Sequence, residues 1–120
     1  MALVESVRQG LPIEAADILS ADICPGDSTF KYVFVPKATY ARRKTAARLS
    51  PQESERLMRV ARIWAFASEV WGGAKEARRF MSAPHMLLDG KSPLAVALES
   101  ELGGKMVEEI LGRLVFGSAV

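Results

Sequence analysis

Ser50-Pro51-Gln52-Glu53 is the strongest structural signal in this 120-residue chain, because it starts a helix in three independent ways. The serine can cap the free N–H groups of a first turn, proline suits the first helical position, and a glutamate three residues after the serine completes a reciprocal capping box. Leu57, Val60, Ala61, Trp64, Ala67 and Trp71 then recur at three- or four-residue intervals, the stripe of a helix laid on a core. Ile63, Phe66 and Val70 widen the stripe, while Arg56, Arg59 and Arg62 stand outside its centre. Gly72-Gly73 ends it. So wide a stripe predicts burial on more than one side, against the chain's own core or a second copy. Leu57, Val60, Trp64, Ala67 and Trp71 are therefore assigned to a core or dimer helix.

Helical punctuation recurs along the rest of the chain, and the expected class is all-α. Leu3 to Arg8 reads as a short helix stopped by Gly10 and Pro12. Pro12 opens a second, with Ile13, Ala16, Ile18 and Leu19 available for burial, which ends before Pro25-Gly26. Asp27 or Ser28 caps a short third helix through Tyr32 or Val33. Phe30 to Val35 is also rich in β-favouring residues, so a strand is the alternative there. Pro36 opens a helix from about Lys37 to Ala46. Beyond Gly73, one helix spans roughly Ala74 to Met81, and Ser92-Pro93 begins another that Gly103-Gly104 should close. The last runs from about Lys105 to Phe116. The natural joint lies near Leu49-Ser50, with residues 1–49 a helix-turn-helix-like bundle and residues 50–120 a second helical domain.

Charge separates these parts. From Met1 to Asp27 the acids Glu5, Glu14, Asp17, Asp22 and Asp27 face a single base, Arg8. From Ser28 to Gln52 the chain carries Lys31, Lys37, Arg42, Arg43, Lys44 and Arg48 and no acid. Clustered cations release counterions from a phosphate backbone, so this asymmetry points to an anionic partner. Two short helices joined by a tight turn place the second in the major groove of DNA. Lys37, Thr39 and Tyr40 would then stand at its groove-facing end, and Arg42, Arg43, Lys44 and Arg48 would clamp phosphates. The alternative is a solvated charged connector between helical layers.

No catalytic constellation accompanies this pattern, and no enzyme, cofactor or metal is expected. Cys24 is the one cysteine, which excludes an intrachain disulfide and a thiolate metal cluster. His85 stands alone in a turn-rich loop from Ala83 to Lys91, where a structural role is expected. Glu108-Glu109 and Glu99/Glu101 read as solvated helix faces, since adjacent helical residues do not face each other. Gly72-Gly73 and Gly103-Gly104 lack the strand-then-helix context of a nucleotide loop. With 49% hydrophobic and 25% charged residues, global disorder is excluded. Met1-Ala2-Leu3-Val4-Glu5 lacks the basic start of a signal peptide, and no apolar run reaches the ~20 residues of a membrane span. A cytoplasmic protein is expected.

The segment Pro36-Lys37-Ala38-Thr39-Tyr40-Ala41-Arg42-Arg43, followed by Arg48-Leu49-Ser50-Pro51-Gln52-Glu53-Ser54, resembles the Xre/MbcA/ParS-type antitoxins of bacterial RES–Xre toxin–antitoxin systems. Two later elements are similar to that family's toxin-binding domain: Pro84-His85-Met86-Leu87-Leu88-Asp89-Gly90-Lys91-Ser92-Pro93-Leu94, and Leu111-Gly112-Arg113-Leu114-Val115-Phe116-Gly117. The resemblance runs from about Val35 to Gly117. It implies a dimeric antitoxin that blocks the active-site entrance of an NAD-consuming RES-domain toxin with its C-terminal region and represses its own operon. A plain helix-turn-helix regulator with a C-terminal dimerisation domain is the other reading. From the residues alone, Ile110, Leu111, Leu114, Val115 and Phe116 crowd the chain's end as either core or partner surface. What the resemblance favours is partner surface, with Ile110, Leu111, Arg113, Leu114, Phe116 and Gly117 facing the toxin.

Overall fold

The computed structural model describes residues 9–116. Its six helices are α1 (Glu14–Ile23), α2 (Lys37–Ala46), α3 (Pro51–Trp71), α4 (Ala74–Ser82), α5 (Pro93–Glu99) and α6 (Glu101–Val115), with 3-10 turns at Phe30–Val33 and Met86–Leu88. The class is all-α. The expected first helix, Leu3 to Arg8, and Gly117 lie outside the described residues. Among the described residues, no helix is long and apolar enough to cross a membrane. Two compact units divide between Met58 and Arg59, so that α3 contributes turns to each.

In the first unit, α1 carries Glu14 and Asp17 in its first turn, where the helix dipole favours acids, and stops at Cys24 ahead of Pro25-Gly26. Asp27 then accepts the Thr29 N–H at 2.9 Å and its hydroxyl at 2.7 Å, turning the chain into the 3-10 segment. This decides between the helix and strand alternatives. Phe34 and Val35 are both buried although adjacent, and Phe30 meets Phe34 edge to ring at four-residue spacing, neither of which an alternating strand provides. After α2 the chain runs back beside the segment that leads into α1, through an isolated bridge of Pro12 with Arg48. Ile13, Ala16, Leu19, Ile23, Phe34, Val35, Leu49 and Leu57 form the core.

The capping box at the start of α3 has the expected geometry. Glu53 accepts the Ser50 N–H at 2.7 Å, and the Ser50 hydroxyl accepts the Glu53 N–H at 3.1 Å. Burial pushes the Glu53 carboxyl up, but the Ser50 N–H and the Arg43 guanidinium outweigh it and hold it below its ordinary value. A depressed folded pKa gives stability that is present above the ordinary glutamate value of about 4.3 and is lost as pH falls through the lower folded one. Glu53→Gln should therefore unfold at less urea than the parent at pH 7, and the two midpoints should converge near pH 3. A constant gap across that range would remove the charge from the account.

The second unit packs the later turns of α3 against α4, α5 and α6. Val60, Ile63, Trp64 and Ala67 are buried there with Ala77, Met81, Leu88, Val96, Ala97, Val107, Ile110 and Leu111. Gly72, at φ +75°, ends α3, and the Gly73 N–H reaches the Ser68 carbonyl at 2.9 Å. His85 caps the second 3-10 turn: its Nδ1 accepts the Leu87 N–H at 3.1 Å, and its ring meets Phe80 edge to face.

Two expectations need correction in this unit. Gly103-Gly104 does not close a helix. Helix α5 ends at Glu99, extended Ser100 caps α6 by accepting the Gly103 N–H at 2.9 Å, and both glycines lie in the first turn of α6. A Cβ on Gly103 would collide with the Val96 carbonyl oxygen, and one on Gly104 would press on the Arg59 stem at 3.0 Å. The pair serves close packing rather than termination. Arg59, placed off the centre of the apolar stripe, is in fact buried at 5% exposure. Its guanidinium donates to the Ala97 carbonyl at 2.7 Å and the Leu98 carbonyl at 3.2 Å, at the negative end of α5.

Candidate functional site

Helix α2 contains no buried residue, so the first unit offers it outward. It is held instead by its polar side chains. The Tyr40 hydroxyl donates to the Asp17 carboxylate at 3.0 Å, and Lys31 reaches the same carboxylate at 3.4 Å while lying 4.4 Å over the Tyr40 ring. Tyr32 meets Tyr40 edge to ring at 5.8 Å. Burial and the bond to Asp17 push the Tyr40 phenol above its ordinary value, which keeps it a neutral donor. Arg43 pairs with Glu53 at 3.1 Å, tying the other end of α2 to the capping box. The Arg48 guanidinium donates to the Gly10 carbonyl at 2.7 Å.

Tyr40, Arg43 and Arg48 thus have partners within the unit. Lys37, Arg42 and Lys44 stand exposed along α2, with Thr39 half-buried among them. Lys37, Thr39, Tyr40, Arg42, Arg43 and Lys44 share one helix, and Arg48 follows it. Sequence reasoning counted Asp17 only as an acid and Lys31 only as a base. No spacing rule joins them to Tyr40 across the fold.

In the second unit the apolar end of the chain is divided. Ile110 and Leu111 face inward and are buried, while Leu114 and Phe116 point outward, Phe116 at 83% exposure. Exposed Arg113 pairs with Glu109 at 3.1 Å. Of the α3 stripe, Leu57, Val60, Trp64 and Ala67 are buried, and Trp71 is 40% exposed beside Phe80. The carboxylates read as solvated faces have basic partners: Glu101 and Glu108 pair with Arg62, and Glu99 with Lys91.

Residues 2–62 match the Antitoxin Xre-like helix-turn-helix domain, and residues 66–117 match the Antitoxin Xre/MbcA/ParS C-terminal toxin-binding domain. The chain belongs to the Xre antitoxin family. An Antitoxin Xre of Yersinia enterocolitica serotype O:8 / biotype 1B is 34% identical over 119 residues, covering 96% of this chain and 79% of the relative. An Antitoxin Xre of Pseudomonas putida (strain KT2440) is 38% identical over 69 residues, covering 58% of this chain and 43% of that relative. The family's helix-turn-helix region takes in α1, the 3-10 segment Phe30–Val33, α2 and the first part of α3. The family's toxin-binding region takes in α4, α5, α6 and the end of α3.

Proposed function

We propose that this chain neutralises a RES-domain, NAD-consuming toxin and binds the operator of its own operon. The observation that carries the reading is the pairing, in one chain, of an outward basic helix in the helix-turn-helix region with an apolar helix end in the toxin-binding region. The functional joint is drawn at Leu49-Ser50, with DNA contact before it and toxin contact and dimerisation after it. Blocking a cleft requires no chemistry from the antitoxin. Arg113, Leu114, Phe116 and Gly117 would fill the toxin's active-site entrance, with Ile110 and Leu111 supporting them, and burial of a standard-size interface makes such a block tight. The chain acts as a cytoplasmic homodimer through α3.

Co-expression with a RES-domain protein encoded in the same operon tests this, following growth and cellular NAD. Rescue that is lost on deleting Arg113 to Val120 is the expected result. NAD loss undiminished by the full chain, with no complex recovered, would leave a plain helix-turn-helix regulator as the better account.

For DNA, Lys37, Thr39, Arg42 and Lys44 form the contact set, with Tyr40, Arg43 and Arg48 adding contacts from side chains that also hold the helix. Lys37→Ala combined with Arg42→Ala should weaken operator binding and reduce the slope of log affinity against log salt by about two. An unchanged slope over a salt series would remove α2 from the interface.

A further inference from the structure

We infer that Asp17 is a positioning residue for operator recognition: with Lys31 it sets the rotation of α2 about its own axis, and so which side chains reach the DNA. This rests on the DNA-binding half of the reading above.

A helix ordinarily takes its rotation from the apolar stripe it buries. Helix α2 has no buried residue, and Ala38, Ala41 and Ala46 along it are all exposed. What turns inward is Thr39, Tyr40 and Arg43, each half-buried and all within about one turn of each other. Two of these are anchored by acids on different helices. The Tyr40 hydroxyl lies 3.2 and 3.0 Å from the two Asp17 carboxylate oxygens on α1, to which it donates, and Arg43 pairs with Glu53 on α3 at 3.1 Å. Two anchors one turn apart fix the rotation as well as the place of the helix, and slippage by one residue would turn it by about 100°. In the anchored rotation Lys37, Ala41 and Lys44, at i, i+4 and i+7, form the exposed stripe, with Arg42 beside it.

Glu53 also serves the capping box, so Asp17 is the anchor whose loss reads out on α2. Lys31 holds that anchor in place. Its ammonium lies 3.4 Å from the Asp17 carboxylate, 4.4 Å over the Tyr40 ring and 5.6 Å over the Tyr32 ring. A cation over an aromatic face is attracted by the ring quadrupole, so one charge binds carboxylate and phenol together. Tyr32 meets Tyr40 edge to ring at 5.8 Å and closes the cluster. Three elements, α1, the 3-10 segment and α2, are joined at this one point. Lys31 is thus engaged inside the unit, although the sequence places it in the same acid-free run as the cations of α2.

Charge and positioning predict opposite signs for the loss of Asp17. A carboxylate beside a basic helix repels phosphates, so by charge alone its removal should tighten binding to any DNA. If Asp17 orients α2, its removal lets the helix turn, and apparent operator affinity falls by the fraction of molecules that keep the competent face.

Asp17→Ala and Asp17→Asn test this in the full-length protein, against a duplex carrying its own operon's promoter and a shuffled duplex of the same length. For Asp17→Ala the expected result is about tenfold weaker binding to the promoter duplex, as when about one molecule in ten presents the competent face. Binding to the shuffled duplex should equal the parent's or be tighter. The slope of log affinity against log salt should not fall, because no phosphate contact is lost. Asparagine keeps an acceptor for the Tyr40 hydroxyl and should lie between parent and alanine. Asp17→Ala combined with Tyr40→Phe should cost less than the sum of the two, since both remove one bond. The Asp17 side chain is 42% exposed, where an ion pair adds little stability, so melting temperatures should stay within a few degrees of the parent's. Should Asp17→Ala melt early, Asp17→Asn carries the test, and promoter affinity at or above the parent's overturns the proposal. The same result in folded Asp17→Ala overturns it and leaves the DNA-binding reading standing. Equal weakening on both duplexes also overturns it, since rotation of α2 bears on base contacts. If the parent does not distinguish the two duplexes, this proposal and the operator reading fall together.

Discussion

Trp64→Ala should destabilise the protein by about 3–5 kcal/mol, the usual cost of deleting a large aromatic side chain from a core. Trp64 is 9% exposed, and its neighbours on the same face of α3, Val60, Ile63 and Ala67, have no exposed surface. The indole leaves a void that these rigid helical neighbours cannot collapse into without moving α3. For a chain of this size each kcal/mol lowers the melting temperature by roughly 4 °C, so thermal unfolding should drop by more than about 10 °C. A melting temperature near the parent's would place the indole outside the core and undo the packing described for the second unit.

Arg59→Ala is expected to cost about 2–4 kcal/mol, more than a surface arginine ever does. The guanidinium satisfies carbonyls at the C-terminal end of α5, where no further turn supplies N–H donors. Its removal leaves the buried Ala97 carbonyl and the part-buried Leu98 carbonyl without this donor, at about 1–3 kcal/mol for a fully buried group and less for the other. The lost stem also opens the space that Gly104 provides. Arg59→Met separates the two contributions: it keeps the stem and loses the bonds, so it should fall between the parent and alanine. A chemical denaturation series over the three proteins reads this directly. Equal stability of all three would make Arg59 a bystander.

These two positions also show where sequence reasoning succeeds and fails. Trp64 belongs to a repeating stripe, and repetition at helical spacing reports which face is buried whatever lies opposite. Arg59 belongs to no such pattern. Its burial depends on two carbonyls at Ala97 and Leu98, which no local rule connects to it. The glycine pair misled for a related reason. Gly103-Gly104 resembles a helix stop when judged by propensity, but tight approach to Val96 and Arg59 also demands glycine, and only the tertiary contact distinguishes the two.

The candidate sites divide in the same way. The basic character of α2, its span and its start after Pro36 were all legible, because helix signals and charge runs are local. That Tyr40 is bonded to Asp17 and Arg43 to Glu53 was not, since those pairs join separate elements. In α6 the apolar content was legible, but not its division into inward Ile110 and Leu111 and outward Leu114 and Phe116. Local chemistry by itself determined most of the helix starts, the capping box and the motifs behind the family likeness, because each rests on residues a turn or two apart. The tertiary structure alone decided which charges are buried and which apolar side chains remain outside. Those depend on residues far apart in the chain meeting through the packing of helices.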